Sequence, residues 1–258
     1  MKIDQDRIRE ILEAEHSFYG YLDVPIRIDD RWSPRWEHLI VPQLSPAMKI
    51  LDVGCGRGHF LLDFSSMFQA GLGIDNDPEH IQLAEEAKET RDIRNVEFRL
   101  LDFPGEADQL ASGSFDMAVS IRGPLLNTEE GLEETNRLLR KDGLLFCEEI
   151  AEHHQKEVAE VFGDLLHKRA ERRRAEEASE LMERKGFEVR LAADFYSKWI
   201  YPDVYTWVEY ISNLWTWLGI PLPEPDDPRI ALFAELNMME TGEIVTTHHV
   251  ALIAGVKK

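Results

Sequence analysis

The chain has 258 residues, 43% of them apolar, which is enough to bury one large core, and it carries a formal net charge of −20. An acidic surface repels phosphate on average, which argues against a nucleic-acid partner. No apolar run is long enough for a membrane helix and the N-terminus is charged rather than signal-like, so we expect a cytoplasmic protein without membrane contact. Two cysteines form neither a disulfide framework nor a cysteine-based metal pattern.

Two helices are predicted ahead of the first strand of the sheet. Apolar residues recur at helical spacing among charges over residues 4–18, which is typical of an amphipathic helix. Ser33-Pro34 combines a capping side chain with a proline suited to the first helical position, so a second helix should begin there. The residues between them, 19–32, are interpreted as an aromatic and acidic loop.

Residues 49–60 predict a strand, a glycine loop and a helix in succession. The strand is a short apolar run without an exposed polar face, as in a buried parallel sheet. Gly54, Gly56 and Gly58 then remove side chains at every second position, which lets a ligand approach the main chain closely. Free N–H groups at the start of the following helix would face that ligand.

The next apolar run, 70–74, ends in Asp75, whose carboxylate could accept hydrogen bonds from both hydroxyls of a ribose. Asp75 alone fits several classes of nucleotide-like cofactor, nicotinamide and flavin cofactors among them. The Gly-x-Gly-x-x-Gly spacing of those enzymes is not met, because a pattern that begins with Gly54 and Gly56 would have its last glycine at His59.

Strands and helices alternate through most of the remaining sequence. Helices are predicted over 77–90, 128–140 and 230–239, and one long helix or two joined helices over 152–185 with a break at Gly163. Strands are predicted over 96–101, 114–120, 144–147, 187–192 and 243–256. A basic run at 168–174 is the one candidate for a nucleic-acid contact. Nearby glutamates favour a solvated, salt-bridged helix face there instead.

The motif Ile-Leu-Asp-Val-Gly-Cys-Gly-Arg-Gly, followed by Gly-Ile-Asp, closely resembles the cofactor motifs of class I S-adenosylmethionine-dependent methyltransferases. The segments 114–120 and 138–146 resemble the fourth motif of that family and the entry to its fifth strand. The resemblance implies an α/β fold: a doubly wound, Rossmann-like, seven-stranded sheet with an antiparallel last strand and helices on both faces. It also implies S-adenosylmethionine as cofactor and S-adenosylhomocysteine as product.

In this family the glycine loop approaches the methionyl part of the cofactor, and an acidic residue after the third strand reads adenine together with the next backbone amide. That pair corresponds to Asp102 and Phe103, although Asp102 could instead cap the turn into Pro104. The residues that the resemblance assigns to the cofactor are Asp52, Gly54, Cys55, Gly56, Gly58, Asp75, Asn76, Asp102, Phe103 and Ser120.

Candidate catalytic residues lie at the predicted carboxyl ends of strands, or at the start of an antiparallel last strand. They are Arg122, His153, His248 and His249, of which a histidine could act as a general base. Arg122 could hold an anionic substrate group or the cofactor carboxylate, or form an ordinary loop salt bridge. Adjacent histidines are poor metal geometry and no spaced ligand set occurs, so no metal is expected.

We expect one methyltransferase domain over 1–258, with an N-terminal helical lid at 1–47 and an aromatic insertion at 195–242 as a candidate substrate cap. Simple packing is the alternative for both segments. His16 and Tyr21 are possible pocket residues. The candidate substrate contacts are Tyr19, Arg122, Tyr196, Trp199 and Tyr201.

The predicted function is methyl transfer from S-adenosylmethionine to a small molecule by in-line displacement, which needs no covalent intermediate. The alternatives are an RNA or protein methyltransferase, a non-catalytic S-adenosylmethionine-binding protein and, more remotely, a nicotinamide oxidoreductase. The sequence names neither the acceptor atom, nor a general base, nor an oligomeric state.

Overall fold

The computed structural model describes residues 3–16, 24–30, 35–126, 128–166 and 174–258. An eight-stranded sheet has the strand order β1-β7-β8-β6-β5-β2-β3-β4. The strands are β1 (Arg27–Asp29), β2 (Lys49–Val53), β3 (Ala70–Asp75), β4 (Val96–Leu100), β5 (Phe115–Ile121), β6 (Leu139–Ile150), β7 (Phe187–Tyr201) and β8 (Ile244–Lys257).

Strand direction confirms the predicted fold class. Strands β2 to β6 pair in parallel, whereas β8 pairs with β6 in the antiparallel sense. From β2 the chain order continues through β3 and β4 on one side and resumes with β5 and β6 on the other, which makes the sheet doubly wound. All seven predicted strands are present.

The predicted number of strands was one too low, because β1 lies in the segment interpreted as a loop. It has only three residues, Arg-Ile-Asp, and pairs with one end of β7. Such a strand is too short to display an alternating pattern. Strand β7 also extends well beyond the predicted 187–192 and contains Tyr196, Trp199 and Tyr201. Strand β6 begins at Leu139, where a turn was expected at 141–143.

In the described ranges the α-helices are α1 (Gln5–Leu12), α2 (Trp36–Ile40), α3 (His59–Asp63), α4 (Pro78–Thr90), α5 (Glu129–Leu138), α6 (Lys156–Phe162), α7 (Ala175–Arg184), α8 (Val204–Leu218) and α9 (Pro228–Asn237). Several of these helices begin at a side-chain cap. The Asp77 carboxylate accepts hydrogen bonds from the first-turn amides of α4, and the Thr128 hydroxyl does the same for α5. A short 3₁₀ turn at Gly163–Leu165 follows α6, at the predicted break. No helix within these ranges is long and apolar enough to cross a membrane.

The chain divides into two compact units, each built from three separate stretches of sequence. Unit one consists of Met1–Ser33, Glu152–Arg172 and Tyr196–His249, and unit two of Pro34–Ala151, Arg173–Phe195 and Val250–Lys258. The single domain, the lid at 1–47 and the cap at 195–242 stay predictions. Tyr19, Tyr21, Ser33-Pro34 and most of the basic run at 168–174 lie outside the described residues.

The core of unit two lies on both faces of the parallel strands. Ile50 packs in one apolar cluster and its neighbour Leu51 in another, because consecutive side chains of a strand point to opposite faces. Val119 and Ala118 of β5 alternate in the same way. Burial on both faces explains why these strands read as continuous apolar runs.

The core of unit one is aromatic and centres on helix α8. The rings of Trp207 and Phe233 stack with centroids 3.9 Å apart, and Phe162 packs edge-on to Trp215 at 5.6 Å. Four apolar residues at helical spacing are buried on this helix: Val204, Trp207, Val208 and Ile211. The N-terminal helix α1 joins this core through Ile8 and Leu12. Helix α8 therefore packs as a core element of unit one.

Truncation of Trp207 to alanine should destabilise the protein strongly, by about 3–5 kcal/mol, because the side chain is fully buried among aromatic rings. Trp217→Ala provides the matched control on the same helix, since Trp217 is 40% exposed. We expect this control to cost on the order of 1 kcal/mol or less. Urea denaturation followed by far-UV circular dichroism measures both, and equal losses would contradict the packing described here.

Candidate functional site

The glycine loop between β2 and α3 has three residues in the left-handed region. Gly54, Gly56 and Gly58 have φ of +74°, +52° and +76°. A Cβ atom on Gly54 would lie 2.7 Å from the Pro124 ring, and one on Gly58 would lie 2.4 Å from the Phe98 ring. A Cβ on Gly56 would meet nothing within 4 Å. Packing within the protein thus requires two of the glycines, whereas the third borders open space that a ligand could fill.

Asp75, at the end of β3, holds this loop in place. One carboxylate oxygen accepts a hydrogen bond from the Gly56 amide at 2.8 Å, and the other accepts from the Asp77 amide at 3.0 Å. His80 Nδ1 lies 3.3 Å from the second oxygen. Burial raises the pKa of Asp75, but these hydrogen bonds outweigh burial and keep the pKa below its ordinary value.

His80 is a site residue that sequence reasoning missed. It lies in the first turn of α4, where Asp77 accepts a hydrogen bond from its amide, and its side chain is largely buried against Asp75. A histidine five residues after an acidic strand end was the available signal. The cap at Asp77 starts α4 immediately after β3, which brings His80 within reach of that strand end.

Asp52 and Cys55 are buried beside the loop. Burial, together with the nearby charge of Asp75, raises the pKa of Asp52 to about 7. Burial, with the Asp52 and Asp75 charges, raises the pKa of the Cys55 thiol well above its usual value. The thiol is therefore protonated at neutral pH and acts as a packing group, its sulfur contacting the position where Gly73 lacks a side chain.

The turn after β4 carries the residues predicted to read adenine. The Asp102 amide donates to the Glu106 carboxylate at 2.9 Å, and the Glu106 amide donates to the Asp102 carbonyl at 2.8 Å. The Asp102 side chain is exposed, while the Phe103 ring is buried. In this turn, among the described residues, the Phe103 amide donates no hydrogen bond to a backbone carbonyl. Asn76, after Asp75, is exposed.

The loop after β5 packs directly on the end of β2. The Ser120 hydroxyl donates to the Val53 carbonyl at 2.9 Å, and a Cβ on Gly123 would lie 2.4 Å from the same oxygen. Arg122 lies between them at φ +58°, and its amide donates to the Glu148 carbonyl at 2.6 Å. The Ser120 hydroxyl thus has a structural partner in this site.

Arg122 forms an ion pair, with Nε 3.5 Å from the Glu148 carboxylate. Burial raises the pKa of Glu148 above its ordinary value, and the Arg122 charge opposes that effect. The guanidinium is about half exposed. The Nε edge of the Arg122 guanidinium pairs with Glu148, and its other N–H groups are available to an anion.

The remaining candidates come together within unit one. His249 is buried, accepts a hydrogen bond from the His153 amide at 3.0 Å, and stacks on the Tyr196 ring with centroids 4.1 Å apart. Its neighbour His248 stacks on Trp199 at 4.9 Å. The two adjacent histidines thus belong to separate aromatic groups, consistent with alternate faces of β8.

Two further candidates, Tyr201 and His16, also lie in unit one. Tyr201 is fully buried, and burial raises the pKa of its hydroxyl well above its usual value. Its hydroxyl accepts a hydrogen bond from the Gln155 side chain at 3.4 Å. His16 contacts the Leu12 carbonyl at the end of α1. Within the described ranges no group of three or more histidine, cysteine or acidic residues is placed to hold a metal ion.

Parallel strands β2 to β6, the antiparallel β8, a glycine loop after β2 and an acidic residue ending β3 together define the class I methyltransferase fold. Comparison with known families agrees. Residues 44–189, more than half of the chain, match the family model of a methyltransferase domain, and the chain belongs to this family. The predicted superfamily is therefore confirmed, and S-adenosylmethionine is the methyl donor that the family implies.

Two curated relatives match part of the chain. The ribosomal protein L11 methyltransferase of Thermosipho africanus is 34% identical over 104 residues, 40% of this chain and 37% of that protein. The uncharacterized methyltransferase YcgJ of Bacillus subtilis is 28% identical over 99 residues, 37% of this chain and 38% of that protein. The matched segment spans little more than a third of either relative.

Solved structures match over most of the chain. The crystal structure of YcgJ superposes with a TM-score of 0.61 at 17% identity, covering 86% of this chain and 97% of that one. A geranyl diphosphate methyltransferase in complex with S-adenosylmethionine gives a TM-score of 0.53 at 14% identity, covering 86% and 84%. At such identities the likeness establishes the fold alone.

The raised pKa of Asp52 predicts a pH-dependent cost to stability. The folded chain keeps this proton up to about pH 7, whereas an unfolded chain releases it near 3.8, so stability from this group falls as pH rises through that window. Asp52→Asn removes the group, and the variant should gain about 2–3 kcal/mol relative to the parent between pH 5 and pH 8.

Denaturant unfolding at several pH values measures that difference. Gln69→Ala, an exposed neutral substitution just before β3, removes no ionisable group and should leave the pH profile of the parent unchanged. A difference between Asp52→Asn and parent that stays constant across the window would contradict the protonated, buried carboxyl.

Proposed function

We propose that this chain transfers a methyl group from S-adenosylmethionine to a small molecule, with S-adenosylhomocysteine as the second product. The open space at Gly56 carries the proposal, because the loop turns there without a side chain and without a protein neighbour within 4 Å of the missing Cβ. A methionyl chain could lie against that backbone. The Asp75 carboxylate accepts a hydrogen bond from the Gly56 amide, and we propose that the same carboxylate binds the ribose.

The chain offers partners for each part of the cofactor. The Asp75 oxygen that accepts from the Gly56 amide retains a lone pair for a ribose hydroxyl. The other oxygen accepts from the Asp77 amide and lies 3.3 Å from His80 Nδ1, so a second ribose hydroxyl would share it with His80. The exposed Asp102 carboxylate could accept from the adenine amino group while the Phe103 amide donates to a ring nitrogen. Gly54, Cys55 and Gly58 shape the loop, and Ser120 holds the end of β2 beside it.

When bound, S-adenosylmethionine supplies a methyl group on a sulfonium, ready for in-line displacement by an acceptor. The residues of this chain then need to orient the two reactants and exclude water, which can supply much of the rate. A general base is required only for an acceptor that loses a proton. His153, His248 and His249 are proposed for that role, and Arg122 is proposed to hold an anionic group beside its pair with Glu148.

The small-molecule acceptor is supported by the net charge of −20, which disfavours a phosphate-rich partner. Tyr196, Trp199 and Tyr201 are proposed substrate contacts. A protein acceptor is the second candidate, because one relative is named as a ribosomal protein methyltransferase. That match covers 40% of this chain, so it bears on the shared domain more than on the acceptor.

Asp75→Ala should weaken S-adenosylmethionine binding severely, because each hydrogen bond to a charged acceptor contributes about 1.5–3 kcal/mol. Calorimetric titration measures the affinity. Asp75→Asn preserves the shape and one acceptor oxygen, and we expect an intermediate loss. Glu79→Ala, in the exposed first turn of α4, is the control and should bind as the parent does. An unchanged affinity of Asp75→Ala for S-adenosylmethionine would contradict the cofactor assignment.

The acceptor class can be tested with S-adenosylmethionine labelled at the methyl group and a cell extract as the source of acceptors. We expect label in small molecules of the ultrafiltrate that chromatography separates from S-adenosylmethionine, and Asp75→Ala to abolish that transfer. Label confined to protein or RNA would contradict the small-molecule proposal. Cofactor binding without transfer to any fraction would favour the non-catalytic alternative.

A further inference from the structure

Unit one contains a cavity of about 430 Å³ that no part of the proposed cofactor site uses. We name it the lysine pocket. Its lining includes Asp29, His153, Lys156, Tyr196, Lys198 and Thr247. Its volume falls in the range of sites that hold small organic ligands.

The sheet explains why these residues share one pocket. Tyr196 and Lys198 are two residues apart on β7 and so point to the same face. Asp29 of β1 is the direct partner of Lys198 in the antiparallel ladder, which places both on that face as well. Thr247 comes from β8. His153 precedes α6, and Lys156 is its first residue.

Tyr196 is held rigidly although it is half exposed. Its ring stacks on the buried His249 ring at 4.1 Å with an interplanar angle of 11°, and the His153 ring lies 6.4 Å away at 25°. The His153 amide donates to His249, which fixes the three rings together. The 51% exposure of Tyr196 leaves ring surface available as a platform for a planar group.

The charges of the pocket favour an anion. Among the described residues neither Lys156 nor Lys198 forms an ion pair, although acidic side chains outnumber basic ones by 49 to 29 in the whole chain. Asp29 is the one carboxylate among the described residues that line the pocket. Glu157 lies nearby and keeps its negative charge, but it is not among the described lining residues, and its oxygens accept from the Thr247 amide and hydroxyl. The described lining thus carries two ammonium groups and one carboxylate.

We propose that the lysine pocket binds a small organic anion that carries a planar ring. Its carboxylate or phosphate pairs with Lys156 and Lys198, and its ring packs on Tyr196. This site is distinct from the residues assigned to S-adenosylmethionine, but it shares His153 and Tyr196 with the proposed general base and substrate contacts. Its occupancy can be measured without methyl transfer. The shared ligand chemistry is a single anionic group attached to an aromatic ring.

Calorimetric titration of the full chain without cofactor tests the proposal with four probes. Benzoate and phenyl phosphate carry both ring and charge, benzamide carries the ring alone, and inorganic phosphate carries the charge alone. We expect saturable binding of benzoate or phenyl phosphate, with the tighter one identifying the anionic group. Benzamide and inorganic phosphate should each bind about tenfold or more weaker. Added salt should weaken binding of the anionic probes.

Variants separate the two contacts. Lys156→Gln combined with Lys198→Gln should weaken the ring-bearing anion by about tenfold or more, whereas Tyr196→Leu should weaken it without changing inorganic phosphate. Lys141→Gln, at an exposed position of β6 in unit two, is the control and should bind as the parent does. Circular dichroism verifies that each variant is folded.

The proposal is overturned if none of the four probes binds saturably, or if a folded double lysine variant binds the ring-bearing anion as tightly as the parent. Because these titrations contain no S-adenosylmethionine, such a failure leaves the methyltransferase proposal standing. Unchanged cofactor affinity in Asp75→Ala would overturn the cofactor assignment and would equally leave the lysine pocket untouched.

Discussion

One hydrogen bond constrains the candidate site more than any other: the Gly56 amide donates to the carboxylate that ends β3. It links the loop after one strand to the end of its parallel neighbour, and so determines where the backbone turns. Gly54 and Gly58 then fit only because they lack side chains. The same carboxylate helps to keep the buried Asp52 protonated, since a second negative charge nearby is unfavourable in an apolar setting.

Local chemistry explains which elements could be predicted from the sequence. Strand β2, the glycine loop and helix α4 depend on apolar runs, glycines and the cap at Asp77, all of which act within a few residues. Strand β1 could not be predicted in this way, because three residues owe their conformation to pairing with β7. The continuation of β7 through Tyr196, Trp199 and Tyr201 was not predicted either, because the aromatic residues around it follow no regular alternation in the sequence.

In the candidate site, too, the residues of a contiguous motif could be predicted, whereas contacts between distant residues could not. Asp75 and the glycines belong to a contiguous motif, whereas His80 contributes through a contact that exists only after α4 has folded against β3. The ion pair of Arg122 with Glu148 and the stack of Tyr196 on His249 join residues far apart in sequence. No periodicity encodes such pairs, because they depend on strand order in the finished sheet.

The distribution of tryptophan has a spectroscopic consequence. Of the five tryptophans in the described ranges, Trp199, Trp207, Trp215 and Trp217 belong to unit one, while Trp36 alone belongs to unit two. Trp36 packs edge-on to Phe60, on the helix that begins at the glycine loop, with ring centroids 5.6 Å apart. Intrinsic fluorescence therefore reports chiefly on the aromatic core of unit one, and the parallel strands of unit two could loosen with little change in emission.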